Sequence, residues 1–143
     1  MKASKIFVLS LKMPPLLSKS KYLYGIQCPK LLWMVVHEPE KLPEVDEATQ
    51  HRFDEGHIVG ELAKKVFPNG IDIKPEDFKD NLKKSKELLS ERKPLFEASY
   101  ENETVYSRAD ILFPVNKKEW DVIEVKSSTQ PKELHIHDLA FQK

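Results

Sequence analysis

Three ionisable side chains lie among apolar residues in the C-terminal part of the sequence, and together they could bind a divalent cation. Glu124 and Lys126 are two positions apart in residues 120–127, a stretch that predicts a strand, and the two-residue period of a strand places both on one face. Asp110 stands between apolar residues in the preceding predicted strand. Apolar neighbours on both faces indicate a covered strand, in which a charge is costly unless it is paired or bound to something.

Two carboxylates from neighbouring strands, with a lysine one pleat away, form a plausible cation site. Mg²⁺ prefers a few hard oxygen ligands and keeps its other positions for water and phosphate. A different interpretation stays open, in which Glu124 and Lys126 lie on a solvated face and Asp110 pairs with Arg108 or a nearby lysine. In that case the protein is an α+β domain whose charged pair has no chemical role.

The elements that must position these residues follow from Pro, Gly and Asn punctuation and from the period of the apolar residues. An irregular lead-in is expected over residues 1–17, followed by helices and then by a three-stranded meander and a last helix. The predicted helices cover residues 18–26, 29–36, 47–67, 75–89 and 131 onward, and the predicted strands cover 95–100, 105–115 and 120–127. The fold class is therefore α/β of the α+β kind, a mixed sheet with a meander flanked by helices.

Length and composition restrict the class of protein. A chain of 143 residues predicts one domain, here residues 18–143. Its 23 basic and 23 acidic residues balance, which excludes a protein that coats nucleic acid by net charge alone. The apolar run at 6–11 is too short to span a membrane, and the single cysteine allows no internal disulfide, so we expect a cytoplasmic protein without a membrane partner.

Four short motifs in order along the chain resemble a known family. Arg108-Ala109-Asp110 followed by Glu124-Val125-Lys126 resembles the PD-(D/E)XK nuclease superfamily, with Ala109 where the name-giving proline would be. Within it, the RecB/AddB-like branch includes an uncharacterised bacterial and archaeal group. Leu17-Ser18-Lys19-Ser20 leading to Gln27-Cys28-Pro29 is similar to the Ser-x-Ser to Cys-Pro opening of that branch, and Gln142 resembles the glutamine of its Gln-x-x-x-Tyr motif.

This resemblance implies a restriction-endonuclease-like core and a metal-dependent DNA nuclease acting in repair, recombination or defence. It implies that Asp110, Glu124 and the backbone carbonyl of Val125 bind Mg²⁺ or Mn²⁺. Lys126 would orient or activate the attacking water and offset charge on the phosphate. The metal would lower the pKa of the water and polarise the phosphoryl oxygen.

The first motif of the superfamily matches the long helix less closely. Residues 56–61 resemble the Gly-x-x-x-His turn of the branch, but Gly60 occupies the place of the histidine. Glu61 could be the acid that other members use, and His57 lies one turn before it on the same helix face. A helical wheel places both opposite the apolar stripe, so we expect both to be exposed.

Two features of the branch are missing from this sequence, the later cysteines and the residues expected after Gln142. Some members of the branch hold an iron–sulfur cluster with one cysteine near the start of the domain and three near its end. The three later cysteines are absent from this sequence, so no cluster is expected. Cys28 is instead predicted to pack as a small buried residue. The tyrosine expected four positions after Gln142 and the strand after it lie beyond Lys143. We therefore expect a domain incomplete at its C-terminal end, with further domains or partners completing the core.

The incomplete end suggests an alternative function, a non-catalytic nucleic-acid-binding or interaction module that keeps the nuclease fold. In either case the expected partner is DNA of unspecified strandedness. The densest basic stretch, Lys83 to Lys93, predicts either a solvated helix face or a surface that follows a phosphate backbone.

Overall fold

The computed structural model describes residues 16–74 and 77–143, which form an α+β fold with a mixed five-stranded sheet and five helices. Most of the predicted lead-in at 1–17, and the predicted helix start at Pro75, lie outside the described residues. In chain order the elements are β1 (Leu17–Ser18), α1 (Lys19–Gln27), α2 (Pro29–His37), α3 (Glu47–Lys64), β2 (Ile71–Asp72), α4 (Phe78–Leu88), β3 (Leu95–Glu101), β4 (Val105–Pro114), β5 (Trp120–Ile123) and α5 (Glu133–Gln142). Short 3₁₀ turns cover Pro39–Lys41 and Leu89–Glu91.

Local capping residues explain where the helices begin. The Ser18 hydroxyl accepts a hydrogen bond from the backbone N–H of Lys21 at 3.4 Å, and the Asp46 carboxylate accepts one from Thr49 at 2.8 Å. Such side chains satisfy N–H groups that have no partner inside the first turn of a helix. Pro29 is the first residue of α2, a position where its missing N–H costs nothing.

The central sheet confirms the predicted meander and adds two short strands. β3 pairs antiparallel with β4, and β4 pairs antiparallel with β5. β1 pairs parallel with β4 and β2 pairs parallel with β3, which makes the sheet mixed. Leu17, predicted as lead-in, therefore belongs to a strand. Strands of two residues are too short to show the alternation by which strands are recognised in a sequence.

Two strands, β1 and β5, pair with the same edge of β4 and leave part of that edge unpaired between them. β3 covers the other edge, so β1 and β5 lie along the same edge of β4, β1 at Val105 and Tyr106 and β5 at residues 111–114. Between these two pairings no strand of the described chain pairs with that edge. Asp110 lies at the end of the gap next to β5.

The prediction that the third strand extends to Ser127 is wrong, because β5 ends at Ile123. Beyond that residue the backbone leaves the ladder, and the N–H of Val125 donates to the Asp110 carboxylate at 2.7 Å instead of to a strand partner. Glu124 and Lys126 therefore follow the strand, and their common direction cannot be derived from the strand period.

The hydrophobic core is built around residues of β3 and β4. Leu95, Ala98, Ile73 and Leu112 are buried together, and Leu88, Trp120 and Val122 are among the residues that pack against them. Burial of these side chains supplies the main stabilisation of the sheet. Because the sheet carries Asp110 and leads into Glu124, this core also fixes the frame of the candidate site.

Two glycine substitutions should change stability in opposite directions. A Cβ at Gly70 would collide with the ring of Phe96, which is 5% exposed and has little room to move. We expect Gly70→Ala to lower the free energy of unfolding by about 1–3 kcal/mol through overpacking. Gly56→Ala, inside α3 with nothing within 4 Å of the added carbon, should raise it by about 0.5–1 kcal/mol. Urea unfolding of both variants measures the difference, and equal effects would contradict the packing at Gly70.

Candidate functional site

A cleft of about 710 Å³ lies between α3 and the part of the sheet where β4 and β5 separate. Its walls bring together six of the seven residues that were predicted for the site. Asp110, Glu124, Val125, Lys126, His57 and Glu61 line it. The seventh residue, Gln142, does not line the cleft, but its side-chain amide donates a hydrogen bond to Glu124. Residues from four separate segments of the chain therefore meet at one place.

Asp110 is held at the floor of this cleft by the strand geometry described above. Its Oδ2 accepts a hydrogen bond from the Val125 N–H at 2.7 Å, which restricts the orientation of the carboxylate. A hydrogen bond to a charged acceptor is stronger than one between neutral groups. This hydrogen bond joins the backbone of Val125 to Asp110, and the Val125 carbonyl and the Asp110 carboxylate were both predicted to bind the cation.

Glu124 is nearly buried, and its carboxylate is surrounded by donors. Its side chain is only 4% exposed. Lys126 Nζ lies 2.5 Å from Oε1, Gln142 Nε2 donates to Oε2 at 2.8 Å, and Lys19 Nζ lies 3.0 Å from both oxygens. A buried carboxylate needs such partners, because burial without them costs several kcal/mol.

Asp138 on α5 is a second buried carboxylate at the site, and the sequence did not single it out. Its side chain is 1% exposed. It accepts Lys126 Nζ at 2.8 Å and Gln142 Nε2 at 3.1 Å, and Lys19 Nζ lies 3.4 Å away. Lys19, Glu124, Lys126, Asp138 and Gln142 thus form one carboxylate–lysine network, in which two carboxylates face two ammonium groups.

Packing between the first and last helices holds this network in place. The rings of Tyr22 on α1 and Phe141 on α5 stack with their centroids 4.7 Å apart. The hydroxyl of Tyr100 on β3 donates to the backbone carbonyl of Gln142 at 3.0 Å. Burial raises the pKa of Tyr100, and the negative charges of Glu124 and Asp138 add to this effect, so the hydroxyl stays protonated and able to donate.

The ammonium group of Lys126 contacts both carboxylates of the network. Partial burial acts to lower the pKa of its ammonium group, but the hydrogen bonds to Asp138 and Glu124 and the charges of both carboxylates outweigh burial, and the pKa lies above its ordinary value. Such a lysine keeps its proton near neutral pH. Lys126 can therefore neutralise negative charge and donate hydrogen bonds, whereas a role as general base is disfavoured.

The donor chemistry on this wall of the cleft fits Mg²⁺ or Mn²⁺. Two carboxylates and a backbone carbonyl are hard oxygen donors, the type that these cations take from proteins while keeping water and phosphate in their other positions. Within residues 16–74 and 77–143, no group of three or more His, Cys, Asp or Glu side chains is arranged as a metal centre. A cation bound by Asp110 and Glu124 would thus need ligands from solvent or substrate, and Glu124 would have to give up a present partner.

His57 and Glu61 lie on the opposite wall of the cleft, on α3. Both are exposed, as expected from the helical wheel. The Glu61 side chain is 69% exposed and accepts a hydrogen bond from Lys64 Nζ at 2.7 Å. A solvated ion pair of this kind contributes little to stability, so Glu61 is free to exchange partners at small cost.

The prediction that Cys28 is buried is wrong, because its side chain is exposed. Cys28 joins two helices: its backbone N–H donates to the Tyr24 carbonyl at 2.9 Å, and Pro29 begins α2 immediately after it. This backbone role leaves the thiol outside the packed interior. Cys28 does not line the cleft of the candidate site.

Sequence reasoning missed Lys19 and Asp138 for different reasons. Asp138 precedes Gln142 by four residues, a spacing that places both on one helix face, so a carboxylate one turn before Gln142 was a usable signal. Lys19 follows the helix cap Ser18 as an ordinary surface lysine would, and it lies 105 positions from Glu124 in the chain. No spacing rule connects residues so far apart.

The chain matches no family model, no curated protein and no solved structure. The likeness to PD-(D/E)XK nucleases stays a prediction from the motifs. Among the described residues, no helix is long and apolar enough to cross a membrane. Function therefore has to be inferred from the chemistry of the cleft.

Proposed function

We propose that this protein is a metal-dependent DNA nuclease that hydrolyses phosphodiester bonds in the cleft between α3 and the sheet. The observation that carries the proposal is the convergence of Asp110, Glu124 and Lys126 on one wall of that cleft. Two carboxylates and a protonated lysine are the groups needed to hold a divalent cation and to offset the negative charge of a phosphate.

Each residue has a distinct task in this reaction. Asp110 and Glu124 would hold Mg²⁺ or Mn²⁺, with the carbonyl of Val125 as a further oxygen ligand. When bound, the cation supplies Lewis acidity and lowers the pKa of a water molecule. Lys126 stays protonated, orients the attacking water and stabilises the charge that develops on the phosphate. Gln142 donates to Glu124 and fixes the direction of its carboxylate.

The cleft also carries positive groups suited to a phosphate backbone. Arg52, Lys64 and Arg108 line it, although the whole chain has no formal net charge. Arg108 is paired with Glu97, with Nε and Oε2 3.1 Å apart. Local clusters of this type bind the DNA backbone without reading its sequence, and their binding weakens as salt rises.

A non-catalytic nucleic-acid-binding module is the second candidate, and one observation favours it. The carboxylate of Glu124 is almost inaccessible and already bonded to two lysines and a glutamine. A network satisfied in this way can hold α1, the end of β5 and α5 together without turnover. The cleft would then bind DNA through its basic side chains alone.

Metal removal separates the two candidates. We expect the purified protein to cleave end-labelled DNA in Mg²⁺ or Mn²⁺, to stop when EDTA is added, and to resume when excess metal is restored. Fluorescence anisotropy with the same DNA measures binding in parallel. Binding without cleavage in either metal would favour the non-catalytic module, and absence of both binding and cleavage would contradict both candidates.

A further inference from the structure

Lys19 occupies an unusual position, at the junction between β1 and α1. β1 lies along the edge of β4 that also carries β5, and α1 begins with Lys19 directly after this strand. The side chain extends into the carboxylate–lysine network and is 21% exposed. Its Nζ lies 3.0 Å from each oxygen of Glu124 and 3.4 Å from Oδ1 of Asp138.

Glu124 has no acceptor capacity to spare. Oε1 accepts from Lys126 and Lys19, and Oε2 accepts from Gln142 and Lys19. A carboxylate has about four lone-pair sites, so these contacts fill them. A divalent cation that binds Glu124 must therefore replace one of the three donors.

Lys19 is the donor that is replaced most easily. Lys126 is held by shorter contacts, 2.5 Å to Glu124 and 2.8 Å to Asp138. Gln142 is held at 2.8 Å by Glu124 and is also bonded to Asp138. The contacts of Lys19 with Glu124 are longer, and after losing them its ammonium group still has Asp138 as a partner.

We propose that Lys19 is a positioning residue that competes with the divalent cation for Glu124 and so weakens metal binding by the free protein. This inference rests on the proposed function. With Lys19 on Glu124, the free protein would hold the metal weakly. Substrate phosphate oxygens that ligate the metal would raise its affinity, and by linkage the metal would strengthen the binding of that substrate by the same factor.

Calorimetric titration with Mn²⁺ in the absence of DNA tests this directly, since it needs no turnover. We expect Lys19→Met to bind Mn²⁺ about tenfold more tightly than the wild type, equivalent to about 1.4 kcal/mol. Lys19→Arg should not tighten binding, because a guanidinium can hold the carboxylate through two parallel hydrogen bonds. Lys21→Met is the matched control: it removes the same charge from the same helix, and within the described residues Lys21 makes no ion pair with Glu124 or Asp138.

The outcomes separate this inference from the proposed function. Wild type that binds Mn²⁺ as tightly as Lys19→Met, or an equal gain in Lys19→Met and Lys21→Met, overturns the competition while leaving the metal site intact. Failure of all variants to bind Mn²⁺, with circular dichroism showing that they are folded, overturns the metal site itself. Binding by Lys19→Met but not by the wild type supports both.

Discussion

Asp110→Asn and Lys126→Ala are expected to lower the rate of metal-dependent DNA cleavage by about 10²–10³-fold, the loss typical of removing one group that stabilises a transition state. The Asp110→Asn variant keeps an oxygen that can accept the Val125 N–H but loses the charge that binds the cation. The Lys126→Ala variant loses the protonated amine that is proposed to stabilise charge on the phosphate. In steady-state cleavage assays the loss should appear in kcat, because neither change removes the basic residues that line the rest of the cleft.

Matched controls distinguish this result from a general effect of charge. Asp121→Asn alters an exposed carboxylate on β5, and Lys117→Ala removes an exposed lysine from the turn before it. Both controls should cleave DNA at the wild-type rate. Wild-type activity in both Asp110→Asn and Lys126→Ala, in protein that melts normally, would refute the nuclease proposal.

Asp138→Ala is expected to lower the free energy of unfolding by about 3–5 kcal/mol, the usual cost of removing one partner of a buried ion pair. The substitution removes one of the two carboxylates that accept from Lys126, Lys19 and Gln142, and it leaves two ammonium groups with Glu124 as the remaining carboxylate of the network. It also removes the hydrogen bond from Lys126 to α5, one of the links between that helix and the residues that follow β5. This effect depends on burial and ion pairing and should be present whether or not the protein is an enzyme.

Urea unfolding followed by circular dichroism measures the effect of Asp138→Ala. Asp121→Ala supplies the control, because this exposed carboxylate should change the free energy of unfolding by no more than about 0.5 kcal/mol. The dependence of the free energy on urea should keep its slope, since the surface exposed on unfolding changes little. Equal stability of the two variants would mean that the lysines of the network find other partners or water.

The network joins stability and chemistry in the same residues. Lys126 is both the proposed catalytic cation and a partner of the buried Asp138. The contacts of Lys126 with Asp138 and Glu124 raise the pKa of its ammonium group. The contact with Asp138 also holds α5 to the site. Variants of Lys126 therefore require a stability measurement beside every rate.

The sequence by itself predicted those features that depend on near neighbours. The helix beginning after Asp46 was visible because its cap and its periodic apolar residues are close together in the chain, and the structure confirms it. The meander of β3, β4 and β5 was visible from alternation and from the turns between the strands. Asp110 and Glu124 were singled out because charges among apolar residues are costly unless they have partners.

Only the tertiary structure decided which partners those charges have. β1 and β2 exist because neighbouring strands offer them hydrogen bonds, and two residues carry no pattern of their own. β5 ends at Ile123, and beyond it the Val125 N–H donates to the carboxylate of Asp110 on β4. Lys19 and Asp138 join the network around Glu124 from opposite ends of the described chain, because α1 and α5 pack together. Periodicity and caps are local properties, whereas the neutralisation of a buried charge depends on every element that folding brings within hydrogen-bond distance of it.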